Sequence, residues 1–277
     1  MIKLFVDSAS SITQADKEKY GVEILPLQIT LGDKQYTDGV DITLDMFYDA
    51  LINQKLFPKT SLPSLGDAEE SVEKYTSAGY DVIILTMSSG LSGTYNTMKM
   101  LFEDNERVRV IDSKSCVGGI KLLVHEINKH LDCDLDFVVN EVNKLIPRIK
   151  IIAVPETLEY LHRGGRLSKS SFAVGSALQI KPIITLDSEG KVKVYSKALG
   201  KKKAMTAICQ CLEDLGCDLD YGIVPSYTYN KANLDELISL TPEKYLGNMT
   251  EYDNVAPVVA CHWGPGAFGY MFVGKEN

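Results

Sequence analysis

Ser92, Thr60, Arg166 and His262 are the side chains whose settings suggest chemistry. Ser92 lies in the loop Ser88-Ser89-Gly90-Leu91-Ser92-Gly93-Thr94, between an apolar run and a helical pattern. A serine there can cap the helix, and the first-turn N–H groups and helix dipole attract an anion, phosphate or carboxylate. No Gly-Lys-Ser/Thr follows, so the loop is not a P-loop. It nearly spells the nucleophile elbow G-x-S-x-G, but Thr94 stands where the last glycine belongs. Thr60 and Ser61 offer hydroxyls from a second loop, Pro58 to Ser64, whose prolines exclude a central strand.

His262 stands before the turn Gly264-Pro265-Gly266, between Cys261 and Trp263. A lone histidine is more often a packed side chain than a reactive one, but a glycine-rich corner favours a cleft. A Ser92–His262 pair with Asp112 or Asp7 as third member would make a hydrolase triad, and the sequence alone cannot bring them together. Arg166 follows Gly164-Gly165, which stop the short helix carrying Leu158 and Leu161. Its bland reading is a surface salt bridge. A second helix is expected from Ser168, through Ala173, Gly175, Ser176 and Ala177, to Lys181-Pro182. Small side chains there would let something bulky approach the backbone.

The elements that must position these residues alternate in type. Strand patterns at Ile2–Val6, Val22–Thr30, Tyr80–Met87, Val108–Ile111 and Ile149–Val154 are separated by helical patterns, among them Cys116–Leu131 and Leu135–Ile146. The continuously apolar VIILTM run suits a parallel strand buried on both faces. Residues 31–35 turn one strand back as a hairpin. The expected fold class is α/β: an N-terminal unit, 1–154, with a parallel sheet and helices on both faces. Polar loops follow its strands at Asp7-Ser8, Ser88–Thr94 and Asp112-Ser113, the edge where such sheets bind ligands. A second unit, 155–277, reads as α+β with a largely antiparallel sheet. It has a hairpin about Asp187–Gly190, a helix near Lys201–Leu215, a strand at Tyr221–Tyr227, and closing strands at Val255–Cys261 and Ala267–Val273.

Composition limits the function classes. A net charge of −8 and a pI near 5.1 argue against a nucleic-acid partner. No run approaches the roughly 18 apolar residues of a membrane span, and Asp7 comes too early for a signal peptide. The six cysteines are therefore expected as reduced thiols in a cytoplasm. Cys209 and Cys211 fall two apart on a helical pattern and point in different directions, so no metal site is expected.

Taken in order, TSLPS at 60–64, SSGLSGTY at 88–95, VIDS at 110–113, LEYLHRGGRLS at 158–168, IKPII at 180–184 and ACHWGPGAFG at 260–269 resemble the DegV family of bacterial fatty-acid-binding proteins. The resemblance spans essentially the whole chain. It implies two domains with a long-chain fatty acid between and inside them, no further cofactor, and no catalysis by the protein itself. It also implies presentation of the bound carboxylate to a separate fatty-acid kinase, which makes an acyl phosphate for phospholipid synthesis. By motif match Thr60 and Ser92 would hold the carboxylate with Ser61 close by, Arg166 and His262 would complete the polar end, and Asp38 matches an acidic position beside it. Leu62 departs from a glutamine common in the TSQPS loop. Leu199 replaces an arginine of the kinase-coupled members, although Lys201, Lys202 and Lys203 would keep a docking face cationic. An acyl ligand also suits the physics. Burying about 16 carbons at roughly 0.8 kcal/mol per CH₂ supplies on the order of 10 kcal/mol before ordering costs. Hydroxyl, guanidinium and imidazole donors would offset the burial of the carboxylate.

Overall fold

A computed structural model of the chain describes residues 1–169, 172 and 179–276. Its strands are β1 (Ile2–Asp7), β2 (Glu23–Leu25), β3 (Gln28–Leu31), β4 (Lys34–Thr37), β5 (Lys59–Ser61), β6 (Asp81–Thr86), β7 (Val108–Asp112), β8 (Ile149–Val154), β9 (Ile180–Leu186), β10 (Val192–Leu199), β11 (Ile223–Tyr227), β12 (Asp253–Asn254) and β13 (Phe268–Val273). Its helices are α1 (Gln14–Tyr20), α2 (Leu44–Tyr48), α3 (Leu65–Ser77), α4 (Thr94–Leu101), α5 (Gly118–Asn128), α6 (Leu135–Leu145), α7 (Glu159–Arg163), α8 (Lys201–Asp214), α9 (Ala232–Ser239), α10 (Glu243–Leu246) and α11 (Pro257–Trp263).

The first sheet runs β2-β1-β6-β7 and is parallel throughout. Side chains alternate across it, as the two-residue repeat of a strand requires. Phe5, Val82 and Ile84 pack on Ala68 and Val72 of α3 and Met98 of α4. Leu4, Val6, Ile83 and Leu85 share the opposite core with Ile120, Leu123 and Val124 of α5. The same core continues into Ile151, Ala153, Ile184, Val224 and Met271 of a second sheet, so α5 is sandwiched between the sheets. Gly118 makes this approach possible, because a Cβ there would fall 2.5 Å from Val224 Cγ1. The far face of the second sheet, with Ile183, Ile223 and Phe272, packs on Ile208 and Leu212 of α8 and Leu237 of α9. The outcome is five layers, helix–sheet–helix–sheet–helix.

The second sheet runs β10-β9-β8-β13-β11-β12, antiparallel except for β11 with β12. The mixed α/β architecture is as expected, with two corrections. The 149–154 strand, expected beside the parallel strands, pairs antiparallel with β13 in the second sheet. Its apolar run suits either sheet, so local pattern could not assign it. The segment 255–261, expected as a strand, is mostly the helix α11. Val258, Val259, Ala260 and Cys261 are all buried, which erases helical alternation, but Pro257 at the first helical position is a helix start.

A third, three-stranded sheet runs β4-β3-β5. The expected hairpin is β3–β4, and β5 lies at the sheet edge between Pro58 and Pro63, where missing N–H groups are tolerated.

Candidate functional site

The polar loops after β1 and β6 meet the second sheet at one apolar cavity. Leu27, Met87, Leu91, Ile151, Ile184 and Trp263 supply much of its wall, and Thr60, Ser92, Arg166 and His262 all line it. About 620 Å³ of space lies between the walls, yet the centre of a water-sized sphere can move through only about 50 Å³ of it. The space is therefore narrow.

Each polar member is held by a different element. Thr60 is the middle residue of β5, paired with Ile29, and its Oγ1 lies 3.0 Å from His262 Nε2. His262 occupies the last turn of α11. Its ring packs so tightly over α7's end that a Cβ on Gly164 would fall 2.2 Å from Nδ1. Glycine is the residue that admits this approach. Nδ1 is buried and has no hydrogen-bond partner among the described residues. Burial, and secondarily the Arg166 charge, pushes the His262 pKa down to about 3, so the imidazole is neutral at physiological pH.

Arg166 follows Gly165, whose φ of 76° makes the bend that redirects the chain after α7. Its Nε donates to Leu91 O at 2.9 Å and its Nη1 to Gly164 O. Burial lowers its pKa, but a guanidinium stays protonated in proteins. The half-buried head is thus aimed by two carbonyls, and among the described residues no carboxylate pairs with it.

Ser92 does not cap α4 as expected; the N-cap position is Gly93. Ser92 Oγ instead accepts from Thr94 N–H at 3.3 Å and lies 2.8 Å from Thr94 Oγ1. The loop is fixed from behind by Ser88 Oγ donating to Gly190 O and by Ser89 N–H donating to Asp112. Gly90 lies against that same hairpin tip, where a Cβ would come 2.6 Å from Glu189 O.

These contacts do not form the hydrolase triad. Ser92 pairs with Thr94, His262 with Thr60, and Asp112 with Lys114 and the Ser89 N–H. Cys116 also lines the cavity, and burial pushes its thiol up to about 12, which keeps it protonated and poorly nucleophilic.

Other expected residues lie elsewhere. Ser61 is exposed and outside the cavity wall. Asp38 is buried behind the wall rather than in it, with neither carboxyl oxygen hydrogen-bonded among the described residues. Lys201 turns toward α9, donating to Asn233 Oδ1 and pairing with Glu236, whereas Lys202 and Lys203 are exposed. Leu199 is 59% exposed at the end of edge strand β10. The small-residue stretch Ala173, Gly175, Ser176 and Ala177 lies outside the described residues, and of the helix expected there Phe172 N–H bonded to Ser168 O is described.

Val258, Val259 and Trp263 line the cavity but were not expected there: the first two fall in a segment that reads as a strand, and Trp263 in the turn after it. Their signal was Pro257. Among the described residues no group of three or more His, Cys, Asp or Glu could hold a metal ion, and no helix is long and apolar enough to cross a membrane.

A family model described as "uncharacterised protein, DegV family" matches residues 1–275. The chain belongs to the DegV family. A DegV domain-containing protein of Clostridium acetobutylicum is 35% identical over 283 residues, covering 99% of each chain. Among solved structures, a fatty-acid-binding DegV family protein from Streptococcus agalactiae superposes with a TM-score of 0.88 at 28% identity, covering 100% of this chain and 99% of the other. A stearic-acid-binding protein from Eubacterium ventriosum superposes with a TM-score of 0.85 at 28% identity, covering 99% of each chain. The structural neighbours of this DegV chain are thus fatty-acid-binding proteins.

Proposed function

We propose that this protein is a non-catalytic carrier that binds one long-chain fatty acid, its alkyl chain in the cavity and its carboxylate among Thr60, Ser92, Arg166 and His262. The observation that carries this reading is the narrow apolar cavity bordered by these four polar side chains. A polymethylene chain suits a narrow, apolar space. His262, neutral and with Nδ1 unpartnered, serves best as the tautomer that donates Nε2–H to Thr60 Oγ1. That leaves the Thr60 hydroxyl proton free to bond the carboxylate, with Arg166 supplying the compensating charge.

The ligand lies between the two units of the chain, 1–154 and 155–277, in this reading; the pairing of β8 within the second sheet favours counting that strand with the second unit. The location is cytoplasmic. A fatty-acid kinase is the proposed partner, approaching the carboxylate end beside the exposed Lys202 and Lys203. Exposed Leu199 cannot make the bidentate pair with a partner carboxylate that an arginine could. Coupling to a kinase adapted to such an arginine should be weak, and acyl-phosphate formation should rise about tenfold or more in Leu199→Arg.

Titration with a fluorescent long-chain fatty acid tests the site itself. Ser92→Ala should weaken binding by about 1–3 kcal/mol, the cost of a buried carboxylate short of one donor. Unchanged affinity removes Ser92 from the site. A chromogenic ester incubated with the natural chain should give neither burst nor turnover.

A further inference from the structure

Two buried carboxyls lie directly behind the cavity wall. Asp7, at the end of β1, accepts the N–H groups of Ala9 at 3.1 Å and Met87 at 2.7 Å, and both of those residues line the cavity. Asp38, in the loop after β4, has both oxygens buried and without a hydrogen bond among the described residues. Against the dominant effect of burial, the Ser8 hydroxyl and the N–H of Val258, another wall residue, favour its ionised form. Asp7 stands in the field of Asp38.

The groups facing this pair from neighbouring elements carry almost no compensating charge. On α11, Cys261 lies in the fields of both Asp38 and Arg166, and burial holds its thiol neutral. His262, next in sequence, is neutral as well. Cys116 faces Asp7 and stays a thiol, and burial keeps the Tyr48 phenol of α2, beside Cys261, protonated. Among the described residues lining the cavity, Arg166 is the one permanent cation.

A bound acyl carboxylate would bring the count to three acids against one guanidinium in a low-dielectric interior. Like charges in such a setting favour protonation of one member. We propose that acyl binding is coupled to uptake of a proton by the buried Asp7–Asp38 pair, so that the protein loads better at mildly acid than at mildly alkaline pH. The inference rests on the fatty-acid reading above. Burial, with the Asp38 charge adding to it at Asp7, outweighs the hydrogen-bond donors around each carboxyl and raises both to about 7, so the pair is poised to accept a proton near neutrality. The proton belongs to the pair rather than to either residue. A negative ligand raises the pair's affinity for a proton further. Uptake is therefore expected above about pH 7 and should vanish near pH 5, where the empty protein is already protonated.

Isothermal titration calorimetry of the delipidated chain at pH 8 tests the coupling. The probe is dodecanoate below its aggregation concentration, measured in phosphate and in Tris. Free dodecanoate is ionised at that pH and brings no proton. The two buffers should give different heats, corresponding to about 0.5–1 proton taken up, and affinity should fall by up to about tenfold per pH unit above neutrality. Asp38→Asn and Asp7→Asn should each remove at least half of the buffer dependence. Equal heats with binding intact overturn the coupling and leave the fatty-acid reading standing. Uptake undiminished in both variants puts the proton on the ligand or His262, and also overturns it. Failure of both dodecanoate and hexadecanoate to bind would overturn the inference and the fatty-acid reading together. Should one variant fold poorly, the other decides where the proton goes, and equal heats in the natural chain overturn the coupling without either.

Discussion

Thr60 Oγ1 and His262 Nε2 lie 3.0 Å apart although 202 residues separate them in the chain. One comes from the edge strand of the small sheet, the other from the last turn of α11. The contact joins the small sheet to α11 at the cavity wall.

If His262 acts through Thr60, losing either residue should cost the ligand the same interaction. Thr60→Val should weaken fatty-acid binding by about 1–3 kcal/mol. In a double-mutant cycle with His262→Ala, the double variant should bind little worse than the weaker single one, with a coupling energy of about 0.5–3 kcal/mol. Fluorescent fatty-acid titration measures all four corners. Strict additivity would mean that the two side chains meet the ligand independently.

Gly164 tests the packing behind that pair. A methyl group there would sit 2.2 Å from His262 Nδ1, and the ring is confined by the buried residues of α11. Gly164→Ala should destabilise the fold by about 1–3 kcal/mol, the usual cost of overpacking, and weaken ligand binding by displacing the ring. Thermal unfolding with and without ligand reads both effects. A wild-type melting temperature would show that the ring is free to move away.

The buried acids predict a pH dependence of stability with a definite sign. Asp7 and Asp38 have folded pKa values raised by burial from 3.8 to about 7, so between those limits the folded state holds protons that the unfolded chain releases. Stability from these groups therefore falls as pH rises from about 4 to about 7, and the full penalty remains above 7. Asp38→Asn removes its share. The variant should match the natural chain near pH 4 and exceed it at pH 8, by an amount on the order of a few kcal/mol at most. Denaturant titrations at the two pH values check this; a variant less stable at pH 8 would mean the ionised carboxylate is stabilising.

Long apolar patterns carried much of the fold. The VIILT run of β6, buried from Val82 onward, announced a parallel central strand, and the Asp187–Gly190 turn announced the β9–β10 hairpin. Where burial is complete, periodicity disappears, which is why α11 reads as a strand and β8 as part of either sheet. The site was legible in another way. Single loops suggested an anion near Ser92, but only the ordered set of family motifs joined Thr60, Ser92, Arg166 and His262. Local pattern holds no trace of Asp38's burial, because its surroundings come from β1 and α11, far away in the chain.

Native mass spectrometry of freshly purified protein, followed by organic extraction, is the sharpest test of the carrier function. The narrow cavity and its four polar side chains predict one long-chain fatty acid per chain, retained through purification and released intact on denaturation. Repeated preparations that load no fatty acid even when one is supplied, or that carry a sugar phosphate instead, would contradict it.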